Sequence, residues 1–260
     1  MMRKLLWIDP HDPLPPTDQA LTLEEGANGL LAAGSDLSAQ RLLEAYGRGI
    51  FPWFSQGEPV LWWSPAPRMV LMIDEFKLAK SLRKTIRASL EEADLNVECD
   101  RDFSTIMAAC AEPRPGQAGT WISPVMIRAY GELHAMGLAH SIEIRRSGRL
   151  VGGLYCVSMG KMVFGESMFS REPDASKLAL ATLVAWLKLQ GAQMIDCQQR
   201  TEHLVSLGGR EIERSLFEHT IRQLRDQPAM PWHDAPPAKH HLQQWLAGSP
   251  FQGGTGSWPI

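Results

Sequence analysis

The sequence predicts an α+β protein with a mixed sheet, and three observations carry that prediction. Three strand-like segments, AHSIEIRR, RLVGGLYCVS and KMVFGESMFS, follow one another with only SG and MG between them, which suits antiparallel hairpins. The next segment, DASKLALATLVAWLKLQG, places Ala175, Leu178, Ala179, Thr182, Leu183 and Trp186 on one helical face and stops at Gly191. AQMIDCQ then reads as a strand and RSLFEHTIRQLR as a helix. Hairpins followed by helix, strand and helix make a mixed sheet covered by helices.

The other elements follow in chain order. Residues 1–68 are rich in Pro, Gly and Trp and make an N-terminal region, part of one large domain or the smaller of two unequal ones. Ser38 caps a short helix there that runs through Tyr46 and is closed by Gly47 and Gly49; the stretch after it reads as irregular and aromatic. The main domain, 69–232, opens with a strand over 69–73 and a helix within EFKLAKSLRKTIRASLEEADL. A strand over 95–98 and a helix over about 102–111 come next, then EPRPGQAGT as a loop. Ser123 as N-cap with Pro124 in the first helical position opens a helix to about Met136. From 233 the chain mixes Pro, Gly and Trp with little periodicity and reads as a loosely structured tail.

With 260 residues, 44% hydrophobic and 21% charged, the chain buries a substantial core. No apolar run approaches the roughly 20 residues that span a bilayer, and MMRKLLWIDPHDPLPP is broken by Asp9 and Pro10 before a signal-peptide core develops. A soluble, cytoplasmic, monomeric protein without membrane partners is expected. Cys99, Cys110, Cys156 and Cys197 show neither CxxC nor zinc-type Cys/His spacing, so reduced thiols and no metal are expected. A net charge of −3 argues against a broad nucleic-acid surface. Lys77, Lys80, Arg83, Lys84 and Arg87, however, gather opposite the apolar side of their helix. That face is either an ordinary solvated one or a surface for an RNA backbone.

The chemistry concentrates in two segments. On a strand, Asp196 and Gln198 share one face, which leaves Cys197 for the helix layer. The same alternation groups Phe164, Glu166 and Met168, with Gly165 permitting close backbone approach. Glu166, Asp196 and Gln198 thus converge beside apolar side chains, and buried acids need a cation from the protein or a substrate. Gly152 and Gly153 suggest a bulge that splays the sheet and opens a slot. Of the loop tryptophans, Trp62 and Trp63 suit packing between domains, while Trp53 and Trp121 suit stacking on a base. His134, His140 and His203 have no metal or triad spacing, and a Cys197–His203 dyad runs against the strand alternation.

GIFPWF, LWWSP, GTWIS, GESMFS…ASK and DCQ…HL.SLG, in this order, lie within longer matching segments that cover most of residues 28–217. In them the chain closely resembles the bacterial leucyl/phenylalanyl-tRNA-protein transferase family. The resemblance implies a GCN5-related acetyltransferase-like domain behind a small N-terminal domain. It also implies transfer of Leu or Phe, less readily Met, from aminoacyl-tRNA to proteins with N-terminal Arg or Lys, which marks them for degradation. No ATP, metal or other cofactor is needed, because the ester is already activated. In such a reaction Asp196 would act with Gln198 on the attacking amine, and Glu166 would help hold the cationic acceptor. Trp53 and Trp121 would hold the terminal adenosine, and Met168 with Phe164 and Gly165 would form the side-chain pocket. The basic helix would meet the tRNA backbone. Cys156 stands where the family usually has glycine, Gly209 where alanine is common, and QRTE (199–202) replaces a more asparagine-containing stretch. The alternative on the same fold is a CoA-dependent N-acetyltransferase, whose glycine-rich loop would fall where this chain reads SREPDASK.

Overall fold

A computed structural model describes residues 4–113 and 121–248. In chain order its elements are β1 (Leu6–Ile8), β2 (Leu30–Gly34), α1 (Ala39–Tyr46), β3 (Phe51–Pro52), β4 (Val60–Trp63) and β5 (Arg68–Met72), then α2 (Lys80–Glu91), β6 (Leu95–Cys99), α3 (Phe103–Cys110) and α4 (Pro124–Ala135). There follow β7 (Ala139–Arg146), β8 (Arg149–Met159), β9 (Met162–Ser170), α5 (Ala175–Leu189), β10 (Met194–Asp196), α6 (Glu202–Ser206), β11 (Arg210–Ile212), α7 (Arg214–Arg225) and α8 (Lys239–Leu246). The hairpins, both caps and the order helix, strand, helix match the expectation. Ser38 accepts from the Arg41 N–H to start α1, and Ser123 from the Met126 N–H to start α4. Residues 114–120 of the expected loop lie outside the described residues.

Two sheets organise the chain. The smaller is four-stranded, in the order β1-β2-β4-β3, and its β3 and β4 fall in the stretch after α1 expected to be irregular. Its strands are two to five residues long and pair with distant partners, so no alternation is long enough to announce them. The larger sheet runs β11-β5-β10-β9-β8-β7-β6; β10 is parallel to β9 and the other neighbours are antiparallel. One face is covered by a core containing Trp62, Tyr46, Tyr130, Phe164 and Phe217. The other is covered by α5, buried over most of its length, together with residues of α2 and α8. No helix among the described residues is long and apolar enough to cross a membrane.

Three expectations are corrected. The stretch after 232 is not loosely structured as far as residue 248: the Trp186 Nε1–H donates to the Ala235 carbonyl (2.7 Å), and α8 buries Leu242 while Trp245 packs on Phe76. The apolar spacing of Leu242, Trp245 and Leu246 is helical but too short to stand out among prolines. The basic helix begins at Lys80, so Lys77, expected on its basic face, precedes it together with Leu78 and Ala79. The bulge near Gly152 leaves Val151 unpaired between the partners Leu150–Arg145 and Gly152–Ile144, yet it opens no slot. A Cβ at Gly152 would lie 2.5 Å from that of Ala175, so this glycine lets α5 approach the sheet.

Gly160 turns β8 into β9 with φ +57°, and a Cβ there would press on the carbonyl oxygens of Leu224, Arg225 and Gln227. The Lys161 N–H donates to the same Leu224 carbonyl (2.9 Å), so the turn forms the seat for the end of α7. Gly160→Ala is expected to destabilise the protein by about 2–3 kcal/mol through strain and collision, read as a lower urea midpoint with unchanged slope.

Candidate active site

β9 and β10 run parallel but pair at only two positions, Val163 with Ile195 and Phe164 with Asp196. β9 stays paired to β8 as far as Ser170. Beyond Asp196 the chain leaves the sheet, and a cavity of about 510 Å3 lies there, bordered by Gly165, Glu166, Ser167 and Met168 on one strand and Cys197, Gln198 and Gln199 on the other. Leu71, Leu154, Leu180, Leu183 and Ile195 make one wall apolar. Phe51 and Pro52 of the small sheet and Trp53 just after them, with Trp121 and Tyr155, line it from elsewhere. The slot therefore arises where two parallel strands part.

A bulge at Glu166 sets the polar part of this cavity. Ser167 pairs with Tyr155 and Gly165 with Cys156, which leaves Glu166 as the extra residue of β9. The extra residue reverses the alternation expected of FGESMFS. Phe164 is fully buried in the core beside Tyr46, ring centroids 4.9 Å apart, and does not line the cavity. Met168 packs with the opposite, α5-side core and does line it. The Glu166 carboxylate accepts from the Tyr46 hydroxyl at Oε1 (2.7 Å) and from the Tyr130 hydroxyl at Oε2 (3.1 Å), and the two hydroxyls lie 2.5 Å apart. Tyr130 and Tyr155 meet edge to face, with centroids 5.7 Å apart. All three tyrosines of the chain thus stand around Glu166.

Asp196 differs from its expected position. It is fully buried and absent from the cavity wall. Its Oδ1 and Oδ2 accept from Arg68 Nε (2.8 Å) and Nη2 (2.6 Å), and Oδ1 also accepts the Gln198 backbone N–H (3.0 Å). The alternation argument fails because β10 ends at Asp196 and Gln198 adopts φ +57°. Gln198 reaches the cavity all the same: its Nε2 donates to the Gly165 carbonyl (2.7 Å) and lies 3.4 Å from Glu166 Oε1. Arg68, Tyr46 and Tyr130 went unrecognised in the sequence. Two buried acids demanded a cation, but nothing in the local pattern names Arg68 as its source.

The remaining predicted residues divide clearly. Trp53, 41% exposed, lines the cavity, and the Trp63 Nε1–H donates to its carbonyl (2.7 Å). Trp121 also lines it, whereas Trp62 is wholly buried, in keeping with packing. Lys77, Lys80, Arg83, Lys84 and Arg87 are exposed. The Lys77 N–H donates to the Leu207 carbonyl (2.8 Å), which ties the start of the basic segment to the end of α6, whose His203 and Leu204 border the cavity.

Residues 70–222 match the family described as leucyl/phenylalanyl-tRNA protein transferase, and residues 35–66 match its N-terminal domain. The chain belongs to this family. It is 57% identical over 227 residues to leucyl/phenylalanyl-tRNA–protein transferase of Burkholderia vietnamiensis, a match covering 87% of this chain and 89% of the relative. With the corresponding protein of Paraburkholderia phytofirmans it is 56% identical, covering 87% and 93%. Family membership makes it an aminoacyltransferase. Among solved structures, the crystal structure of FemX matches 77% of this chain and 76% of its own, at 12% identity and a TM-score of 0.41.

Electrostatics separates the groups of the site. Burial first, then the charge of Asp196, raises the Glu166 carboxyl to about 7, against the tyrosine hydrogen bonds and Arg68, which lower it. Burial, reinforced by Glu166, pushes the Tyr46 and Tyr130 hydroxyls well above their ordinary value, so both remain donors at neutral pH. The Cys197 thiol is pushed up by burial and then by Asp196, and its sulfur lies 3.7 Å from the Ile195 carbonyl. It packs against the α5-side core, as expected, although it also borders the cavity. Burial, then Lys177, lowers His203. A thiol held protonated is a poor nucleophile. Iodoacetamide at pH 7.5 should label Cys197 at least about tenfold more slowly in the native than in the unfolded protein, followed by mass spectrometry of its peptide.

Proposed function

We propose that the protein transfers leucine or phenylalanine, and less readily methionine, from aminoacyl-tRNA to the α-amino group of proteins that begin with arginine or lysine, marking them for degradation. One observation carries this reading beyond family membership: a single cavity joins an apolar wall of Leu154, Met168, Leu180 and Leu183 to a carboxylate held by two tyrosines. The apolar wall suits a side chain unbranched at Cβ, and the Glu166 carboxylate suits a cationic acceptor that begins with arginine or lysine. Gln198 braces Glu166, and Gly165 brings backbone close to the substrate. In this reading Trp53 and Trp121, which line the cavity, stack on the terminal adenosine, and the exposed basic face of α2 meets the tRNA backbone.

In this reaction the neutral amine attacks the ester carbonyl. The bond to the ribose oxygen breaks, and the amine proton leaves for that oxygen, directly or through neighbouring hydroxyls. An aminoacyl ester is already activated, so alignment and a deprotonated amine are what the site must supply. The alternative of CoA-dependent acetylation meets an obstacle at the start of α5. There Asp174 stands at the N-cap position, Glu172 lies just before it, and no glycine-rich loop is present to cradle a pyrophosphate.

Incubation with Phe-tRNA and an Arg-initiated peptide should give Phe-peptide, and acetyl-CoA should give no acetyl-peptide; acetylation without transfer from tRNA would reverse the reading. The rate should rise with pH through about 7 as Glu166 ionises and again near 8 as the amine loses its proton. Glu166→Gln should lower kcat/KM by about 10- to 100-fold and remove only the lower limb. Charge reversal at Lys80, Lys84 and Arg87 should weaken tRNA binding and flatten its dependence on salt; an unchanged slope would make α2 an ordinary solvated face.

A further inference from the structure

We propose that Arg68 is a positioning residue of the transfer site, acting through Asp196 to hold Gln198 against Glu166, and that Asp196 takes no proton from the substrate. The inference rests on the reaction proposed above. Arg68 and Asp196 are both buried, 1% and 0% exposed. The guanidinium lies between the rings of Phe51 and Phe217, 4.8 and 4.5 Å from their centroids, and donates from Nη1 to the Gly49 carbonyl (3.0 Å). Its fork grips both Asp196 oxygens. Small sheet, α7 and β10 are therefore clamped on one planar group, and a lysine, with a point charge and no fork, could not reproduce that geometry.

The clamp continues to the cavity. Asp196 Oδ1 accepts the Gln198 N–H, and the Met69 N–H reaches the Gln198 carbonyl (3.4 Å). These bonds hold a non-glycine residue at φ +57°, a conformation that needs such support. From it the Gln198 amide meets the Gly165 carbonyl and Glu166. Asp196 cannot touch an amine in the cavity, because it does not reach the wall and both its oxygens are already engaged.

The test compares Arg68→Gln, Asp196→Asn and the double variant, a neutral pair that still offers an amide donor and a carbonyl acceptor. Each single change should lower kcat for Phe transfer at least about 30-fold with KM for the tRNA changed less than about threefold. The double variant should recover at least about tenfold over Asp196→Asn and keep both limbs of the wild-type pH profile. A double variant no more active than Asp196→Asn, or one that has lost a limb, would overturn the proposal and make Asp196 a proton acceptor. Urea midpoints of the three variants separate lost activity from lost folding. Amide exchange at the Gln198 N–H should quicken in both singles and slow again in the double, a readout that needs no reaction. If the wild type yields no Phe-peptide, the proposed reaction falls, while the exchange rates still decide whether Arg68 and Asp196 hold Gln198; unaltered exchange would sink that too.

Discussion

The buried bidentate pair of Arg68 with Asp196 is the interaction on which the rest of this structure turns. Taking two charges out of water is costly, and only close geometry with further hydrogen bonds offsets it. Here the offset is thorough: two N–H bonds between the partners, a third from the Gln198 backbone, a fourth from Arg68 to Gly49, and aromatic rings on both sides of the guanidinium. Removing one partner of such a pair costs about 3–5 kcal/mol, because the other is left buried and alone. The pair therefore contributes more to the register between the small sheet, the large sheet and α7 than to net stability. Its second consequence is local. Where β10 ends, the chain must turn at once, and Asp196 supplies the acceptor that fixes the turn.

A second constraint is the bulge in β9. Regular alternation would have placed Phe164, Glu166 and Met168 on one face, with the carboxylate among apolar side chains and no donors. The single extra residue leaves Phe164 in one core and Met168 in the other, and Glu166 between them reaches the hydroxyls of Tyr46 and Tyr130. Bulges next to active sites commonly re-aim one side chain in this manner. Tyr46 comes from the end of α1 and Tyr130 from within α4. The position of Glu166 thus depends on the contact between the small domain and the large sheet, the same contact that Arg68 secures.

Much of the fold was legible because it is written in local patterns. The β7–β8–β9 hairpins announce themselves by short Gly turns, α5 by an apolar face ended at Gly191, α1 and α4 by Ser38, Ser123 and Pro124. The small sheet was not legible, since Phe51–Pro52 and Val60–Trp63 are too short to show a period; they pair with each other, and Val60–Trp63 also with the distant β2. α8 failed to stand out for a similar reason, being one short helix amid prolines. The site was half legible. Glu166, Gln198, Met168, Gly165, Trp53 and Trp121 do line one cavity, but Asp196 and Phe164 do not. Both misplacements come from extending period two across a break: at Glu166 the strand gains a residue, and after Asp196 it stops. The need for a cation beside the acids could be inferred from burial cost alone. Its identity could not, because Arg68 is distant in sequence from Asp196, and tertiary pairing joins them.

The carboxyl of Glu166, raised to about 7, couples the entry of any cation into the cavity to protonation. Near neutrality the empty site holds the proton a substantial part of the time, since burial opposes the charge and the two tyrosine hydroxyls offset that only in part. A cationic group entering the cavity favours the carboxylate and so expels the proton; an apolar group does not. Affinity for a cation in this cavity therefore rises with pH across the range where Glu166 ionises, while affinity for an apolar side chain on the Leu154, Met168, Leu180 and Leu183 wall has no such dependence. Burying such a side chain contributes about 1.5–3 kcal/mol whatever the pH. The two halves of the cavity thus respond to different variables, one to shape and the other to charge, although they share Gly165, Glu166 and Met168 on a single strand. That separation lets one small cavity distinguish an apolar group from a cation, and it follows from the bulge that turned Glu166 away from Met168.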